Sequence, residues 1–180
     1  MIEVAGRVIV GLDPGTASTG FGVISVTGNR MRSVEYGVVA TPAGMPPEKR
    51  LERIYAGVVE VLERHRPDAA AVESLFFGTN VRTALAVGQA RGVVLLACSR
   101  AGCEVFEYTP LQVKQAVCGY GKAEKEQVMD MVRALLSLSE TPRPDHAADA
   151  LGMAICHANT WAMHQRVAQS EAAAARRRIR

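Results

Sequence analysis

The chain has 180 residues, 48% of them hydrophobic, with 21 Lys and Arg against 18 Asp and Glu, a formal net charge of +3. Single domains commonly run to roughly 100–200 residues, so this length predicts one compact domain. The apolar content excludes a largely disordered chain, and no apolar run approaches the ~18 residues of a membrane span.

The opening MIEVAGRVIV is interrupted by Glu3 and Arg7 and lacks the pattern of a secretory signal, so a cytoplasmic location is expected. Residues 7–13, RVIVGLD, are apolar and rich in β-branched side chains, and they end in Pro-Gly-Thr. That predicts a buried strand running into a turn. Residues 21–26 and 33–40 are two more strand-like runs, so an antiparallel meander is expected. Between 48 and 65 the period changes: Leu51, Ile54, Tyr55, Val58 and Leu62 recur at three- and four-residue steps, an amphipathic helix introduced by Pro46-Pro47. Residues 69–74, AAAVES, predict a fourth strand ending at Glu73, parallel to a neighbour because a helix precedes it. Residues 81–100 are apolar nearly all round, which predicts a helix covered on more than one side.

A fifth strand is predicted at 105–108 and a short helix at 111–117. The loop Gly119-Tyr120-Gly121-Lys122 leads to a helix at 124–136, and a last helix runs from near Pro144 to about Arg166. No repeat is visible, and the one low-complexity piece is the ending AAAARRRIR. This order predicts an α/β fold, a mixed five-stranded sheet flanked by helices. Five Arg and one Glu lie between Arg166 and Arg180, leaving 16 basic against 17 acidic residues before them. A nearly neutral body, residues 1–166, therefore precedes a basic and flexible tail, 167–180. Cys98, Cys103, Cys118 and Cys156 lack CxxC spacing, which fits reduced, mostly buried thiols better than zinc ligands or a disulfide framework.

The carboxylates carry the functional signal. Asp13 ends the first strand, Glu73 ends the fourth, and Asp145 and Asp149 fall in the first turns of the last helix. Adjacent strand ends lie ~4.8 Å apart, and helix positions three and four apart share a face, so His146 and Asp149 can point where Asp13 and Glu73 point. Carboxylates brought together repel unless a cation lies between them, and oxygen ligands favour magnesium or manganese. Two such ions ~3.5–4 Å apart are a recurring arrangement for phosphodiester hydrolysis. Taken singly, each residue also has a plainer role: Asp13 as a turn former, Asp145 and Asp149 as helix-start residues, His146 as a cap or core histidine.

The segments GLDPGTASTGFGVI, AVESLFFGTNVRTALAVGQARGV, TPLQVKQAVCGYGKAEKEQV and PDHAADALGMAICHA together resemble the RuvC family of bacterial Holliday-junction resolvases over roughly residues 7–160. The resemblance implies a ribonuclease-H-like fold and a homodimer. It also implies an endonuclease that resolves four-way DNA junctions in recombination and repair, nicking two strands of like polarity with metal and leaving 5′-phosphate and 3′-hydroxyl ends. By position it implies Asp13, Glu73 and Asp149 as catalytic metal ligands for two divalent ions, Mg2+ or Mn2+. His146 stands where some members have a further Asp; a ring nitrogen suits manganese better than magnesium, so good activity with manganese is expected. The family's branch-migration proteins, RuvA and RuvB, are implied partners; no membrane is.

Around the site, Gly11, Gly15, Gly20 and Gly22 are expected to keep the approach to Asp13 open for a DNA backbone. Phe76 and Phe77 lie in a loop after Glu73, where an aromatic pair can stack on an unpaired base; the alternative is packing in the core or dimer contact. Lys114 and Lys125 match DNA-contacting positions of the family, and Lys122 adds charge between them; Arg82 and Arg91 are further phosphate or interface candidates. Cutting two symmetry-related strands calls for a two-fold dimer, and helix 81–100 offers the surface, unless the monomer buries it completely.

Three rivals are weaker. The stretch GLDPGTASTG also resembles the first hairpin of actin-like and sugar-kinase ATPases, whose two-domain cleft needs about twice this length. A junction-binding module that does not cut would be expected to lack a ligand, and all are present. A related ribonuclease-H-like nuclease acting on RNA fits the phenylalanine loop and the motif set poorly.

Overall fold

In a computed structural model, residues 6–74 and 81–178 are described, without the side chains of 81–83, 162 and 164–178. Strands β1 (Arg7–Asp13), β2 (Ser18–Thr27) and β3 (Arg30–Ala40) form the expected meander, with β2 antiparallel to both its neighbours. After α1 (Pro47–His65), β4 (Ala69–Glu73) pairs parallel to β1; after α2 (Val81–Arg100), β5 (Glu104–Tyr108) pairs parallel to β4. The sheet order is β3-β2-β1-β4-β5, and α3 (Pro110–Cys118), α4 (Lys125–Leu135) and α5 (Asp145–Arg178) follow.

Three boundaries differ by more than one residue from those read in the sequence. β2 starts at Ser18, because its first residues pair with the end of β3 although they are polar; Thr19 is fully buried there. β3 starts at Arg30, and the hairpin turns at Gly28, whose φ of 60° suits a residue without Cβ. α5 continues through the alanine run to Arg178 rather than stopping near Arg166, as the high helix propensity of alanine allows.

Strand alternation gives the sheet two apolar faces. Val10, Leu12, Val23, Ala70 and Val72 pack against Ile54, Val58 and Leu62 of α1 and Ala90, Val94 and Ala97 of α2. Ile9 and Ile24 pack on the other side against Leu151 and Ile155 of α5, Val117 of α3 and Val132 of α4. The helix α2 is therefore not wholly covered: Leu85 and Leu96 are 64% and 53% exposed, in line with exposed Gln89 and Gly92. All four cysteines are free, three of them buried.

Candidate functional site

Asp13 is the last residue of β1 and Glu73 the last of β4, and the register that pairs Leu12 with Val72 sets the two strand ends side by side. Alternation decides where they point. Leu12 and Val72 face α1 and α2, whereas Ile9 and Ala71 face α5, so Asp13 and Glu73 face α5 as well.

α5 supplies the remaining groups, and glycine brings it close enough to do so. A Cβ at Gly11 would lie 1.8 Å from the Ala150 carbonyl oxygen, at Gly20 2.0 Å from that of His146, and at Gly22 2.7 Å from the Leu151 amide nitrogen. These glycines do not hold a path open for DNA, as their lack of side chains beside Asp13 suggested; the backbone of α5 fills the space. Gly15 serves the turn instead, where Thr19 Oγ1 donates to its carbonyl at 2.8 Å and a Cβ would meet Ser18 O at 2.5 Å.

Pressed onto the strands, α5 aims His146 and Asp149 at Asp13. One ligand atom from each of these three lies within 4.8 Å of the other two. His146 Nδ1 is 2.6 Å from Asp13 Oδ2. Glu73 stands outside that three-residue group but lines the same cleft of about 310 Å³, together with Asp13, Asp149, Lys114 and Lys125. Burial, and then the charges of Asp13 and Asp149, push the Glu73 carboxyl above its ordinary value. The Asp149 carboxyl is also pushed up, by burial first; Lys125 opposes the rise and Asp13 adds to it. Two carboxyls pushed up by burial and neighbouring negative charge, beside Asp13 and an imidazole, make a donor set that fits a small divalent cation of the magnesium or manganese type.

The lysines come from the next layer. Lys114 on α3 and Lys125 at the start of α4 line the cleft, whereas Lys122 is exposed on the intervening loop and does not. Lys125 Nζ lies 3.0 Å from Asp145 Oδ2 and 3.5 Å from Asp149 Oδ2. Asp145 thus has an ion-pair partner that its place at a helix start did not reveal. Arg91, a phosphate or interface candidate, has a partner within the monomer: its guanidinium pairs with Glu107 at 2.6 Å and donates to the Glu73 carbonyl at 3.3 Å, tying the end of β4 to β5. Phe76 and Phe77, and the Arg82 side chain, lie outside the described residues.

Known proteins match this arrangement over most of the chain. The family model for crossover junction endodeoxyribonuclease RuvC matches residues 9–157. A curated RuvC from Rubrobacter xylanophilus is 60% identical over 152 residues, 84% of this chain and 85% of that protein. The structure of Thermus thermophilus RuvC in complex with a Holliday junction substrate superposes with a TM-score of 0.84 at 46% identity, covering 88% of this chain and 96% of that one. The yeast mitochondrial Holliday junction resolvase Ydc2 shares the ribonuclease-H-like fold at 12% identity, with a TM-score of 0.60 over 84% of this chain and 77% of that one. With its strand-end carboxylates and its α5 pair inside the matched region, the chain belongs to the RuvC family of crossover junction endodeoxyribonucleases.

Proposed function

We propose that this protein resolves four-way DNA junctions by metal-dependent nicking of two strands of like polarity, leaving 5′-phosphate and 3′-hydroxyl ends, in recombination and repair. The observation that carries this reading is the convergence of Asp13, His146 and Asp149, two of which, Asp13 and Asp149, line one cleft together with Glu73, Lys114 and Lys125. Asp13, Glu73, His146 and Asp149 would hold two divalent ions, Mg2+ or Mn2+, which when bound activate water and neutralise the leaving oxygen. Lys114 and Lys125 position the scissile phosphate without reading sequence. Lys122 and Arg82 extend the contact along the backbone, and Phe76, with Phe77 beside it, stacks at the junction centre. The imidazole of His146 favours manganese over magnesium.

The working unit is a homodimer related by a two-fold axis, built on the exposed Leu85–Leu96 side of α2. Residues 1–166 form the nuclease unit, and 167–180 add a basic extension whose attraction for DNA salt weakens. No described helix is long and apolar enough to cross a membrane; we place the protein in the cytoplasm, with RuvA and RuvB as partners.

The test is cleavage of a synthetic four-way junction beside linear duplex and RNA–DNA hybrid, with and without metal. Junction nicking that needs metal, and that Asp13→Asn abolishes while junction binding persists, is the expected result. Retained cleavage by Asp13→Asn, or equal cutting of linear duplex, refutes the reading.

A further inference from the structure

We propose that Asp145 is a positioning residue that acts through Lys125, holding its ammonium off Asp149 so that this carboxylate stays available to a divalent cation. The inference rests on the metal-centre reading above and adds a residue to it that stands outside the ligand group. Asp145 and Asp149 are four residues apart on α5 and so share a face, and Lys125, first residue of α4, reaches between them. Its Nζ is nearer to Asp145 Oδ2, at 3.0 Å, than to Asp149 Oδ2, at 3.5 Å. Arg143 Nη1 lies 3.5 Å from the other oxygen of Asp145, Oδ1, and leaves Oδ2 to the lysine.

An ammonium on a metal ligand competes with the metal for the same oxygen. Without Asp145, Asp149 is the one carboxylate left within 4.0 Å of the Lys125 ammonium among the described residues. Closing that 3.5 Å separation to an ordinary contact of ~2.8 Å, at an effective dielectric of ~20, strengthens the attraction enough to weaken cation binding by up to about sevenfold. With Asp145 in place, the ammonium is shared and rests at the rim of the cleft, where an arriving phosphate can take it over.

The experiment measures Mn2+ binding by calorimetry, without DNA, to the wild-type protein, Asp145→Asn, Lys125→Met and the double variant, with circular dichroism as the check on folding. Asp145→Asn is expected to weaken Mn2+ binding several-fold in the wild-type background, and by much less when Lys125→Met is already present. Asp145→Glu, which keeps a carboxylate for the lysine, is expected to bind Mn2+ as the wild type does. Charges fixed in place contribute additively, so equal losses in both backgrounds would mean that Asp145 acts only as a distant negative charge, and would overturn the proposal. Wild-type affinity in Asp145→Asn overturns it too. Failure of the wild-type protein to take up Mn2+ at all refutes the metal centre itself, a separate outcome.

Discussion

Gly20→Ala tests whether the packing of α5, and not only the presence of its ligands, makes the site. Gly20 pairs with Asp13 across β1 and β2, and its added Cβ would lie 2.0 Å from the His146 carbonyl oxygen. Real Cβ contacts essentially never fall below 3.0 Å, so α5 must retreat by about 1 Å at the residue whose side chain meets Asp13. Overpacking of this kind costs ~1–3 kcal/mol of stability. A 1 Å misplacement of reacting groups costs about 100-fold in rate. The assay is single-turnover nicking of a four-way junction at saturating protein, well below the melting temperature, with Mn2+ binding measured in parallel. The expected result is a folded variant that melts several degrees lower, binds junction, binds Mn2+ more weakly and nicks about 100-fold more slowly. Gly37→Ala is the control, since its Cβ would meet only the edge of the Phe21 ring, at 3.1 Å, and α5 would stay in place. Wild-type nicking and melting by Gly20→Ala would refute the reasoning, because the helix would then not need its close approach to place His146 and Asp149.

Three further outcomes follow from the same geometry. Glu73 binds its proton more tightly in the folded protein than its ordinary value implies, so in the absence of metal its charge costs stability as pH rises through the folded value. Glu73→Gln should therefore raise the melting temperature of the metal-free protein near neutral pH by ~2–4 °C, about 1 kcal/mol, while abolishing nicking; a lower melting temperature would contradict the repulsion argument. His146→Asp should move the preference from manganese toward magnesium, read as the ratio of nicking rates across full titrations of both ions; equal ratios in wild type and variant would remove the ring nitrogen from the ligand set. Burial, with the charge of Arg7 second, pushes the His157 ring down to about 4 from an ordinary 6.5, and its Nδ1 lies 2.8 Å from the Tyr108 hydroxyl. The unfolded chain takes up that proton near 6.5 and the folded protein only near 4, so its contribution of about 3 kcal/mol is complete above pH 6.5 and lost progressively down to pH 4. Urea unfolding across that window should show the slope, and an unchanged slope in His157→Gln would contradict it.

The fold and most of the site were legible because local patterns carry them. An apolar run ending in a carboxylate places Asp13 and Glu73 at strand ends, and a three-residue step places His146 and Asp149 on one helix face, whatever the rest of the chain does. What was hidden depends on docking. A glycine announces free space beside the backbone but not what fills it, so Gly11, Gly20 and Gly22 pointed to an open path when their neighbour is α5. The pairing of Lys125 with Asp145 exists only once α4 has packed beside α5, and no spacing between the two residues encodes it. Arg91 likewise looked like a free cation until β5 brought Glu107 to it.

These hidden contacts share one physical task. Burial and mutual repulsion raise the proton affinity of Glu73 and Asp149, so the metal-free site works against its own assembly. What holds it together lies outside the proposed ligands: Arg91 pins the end of β4, and Lys125, itself anchored by Asp145, tempers the charge of Asp149. Leu151, Ala154 and Ile155 are buried against the sheet and hold α5 down beyond the reach of that repulsion. Core packing thus over-determines the position of groups that would otherwise separate, as strained functional sites require. On the metal-centre proposal, a substitution that loosens α5 should therefore lose metal affinity before it loses the fold, because the acidic groups repel one another and the core beneath them does not.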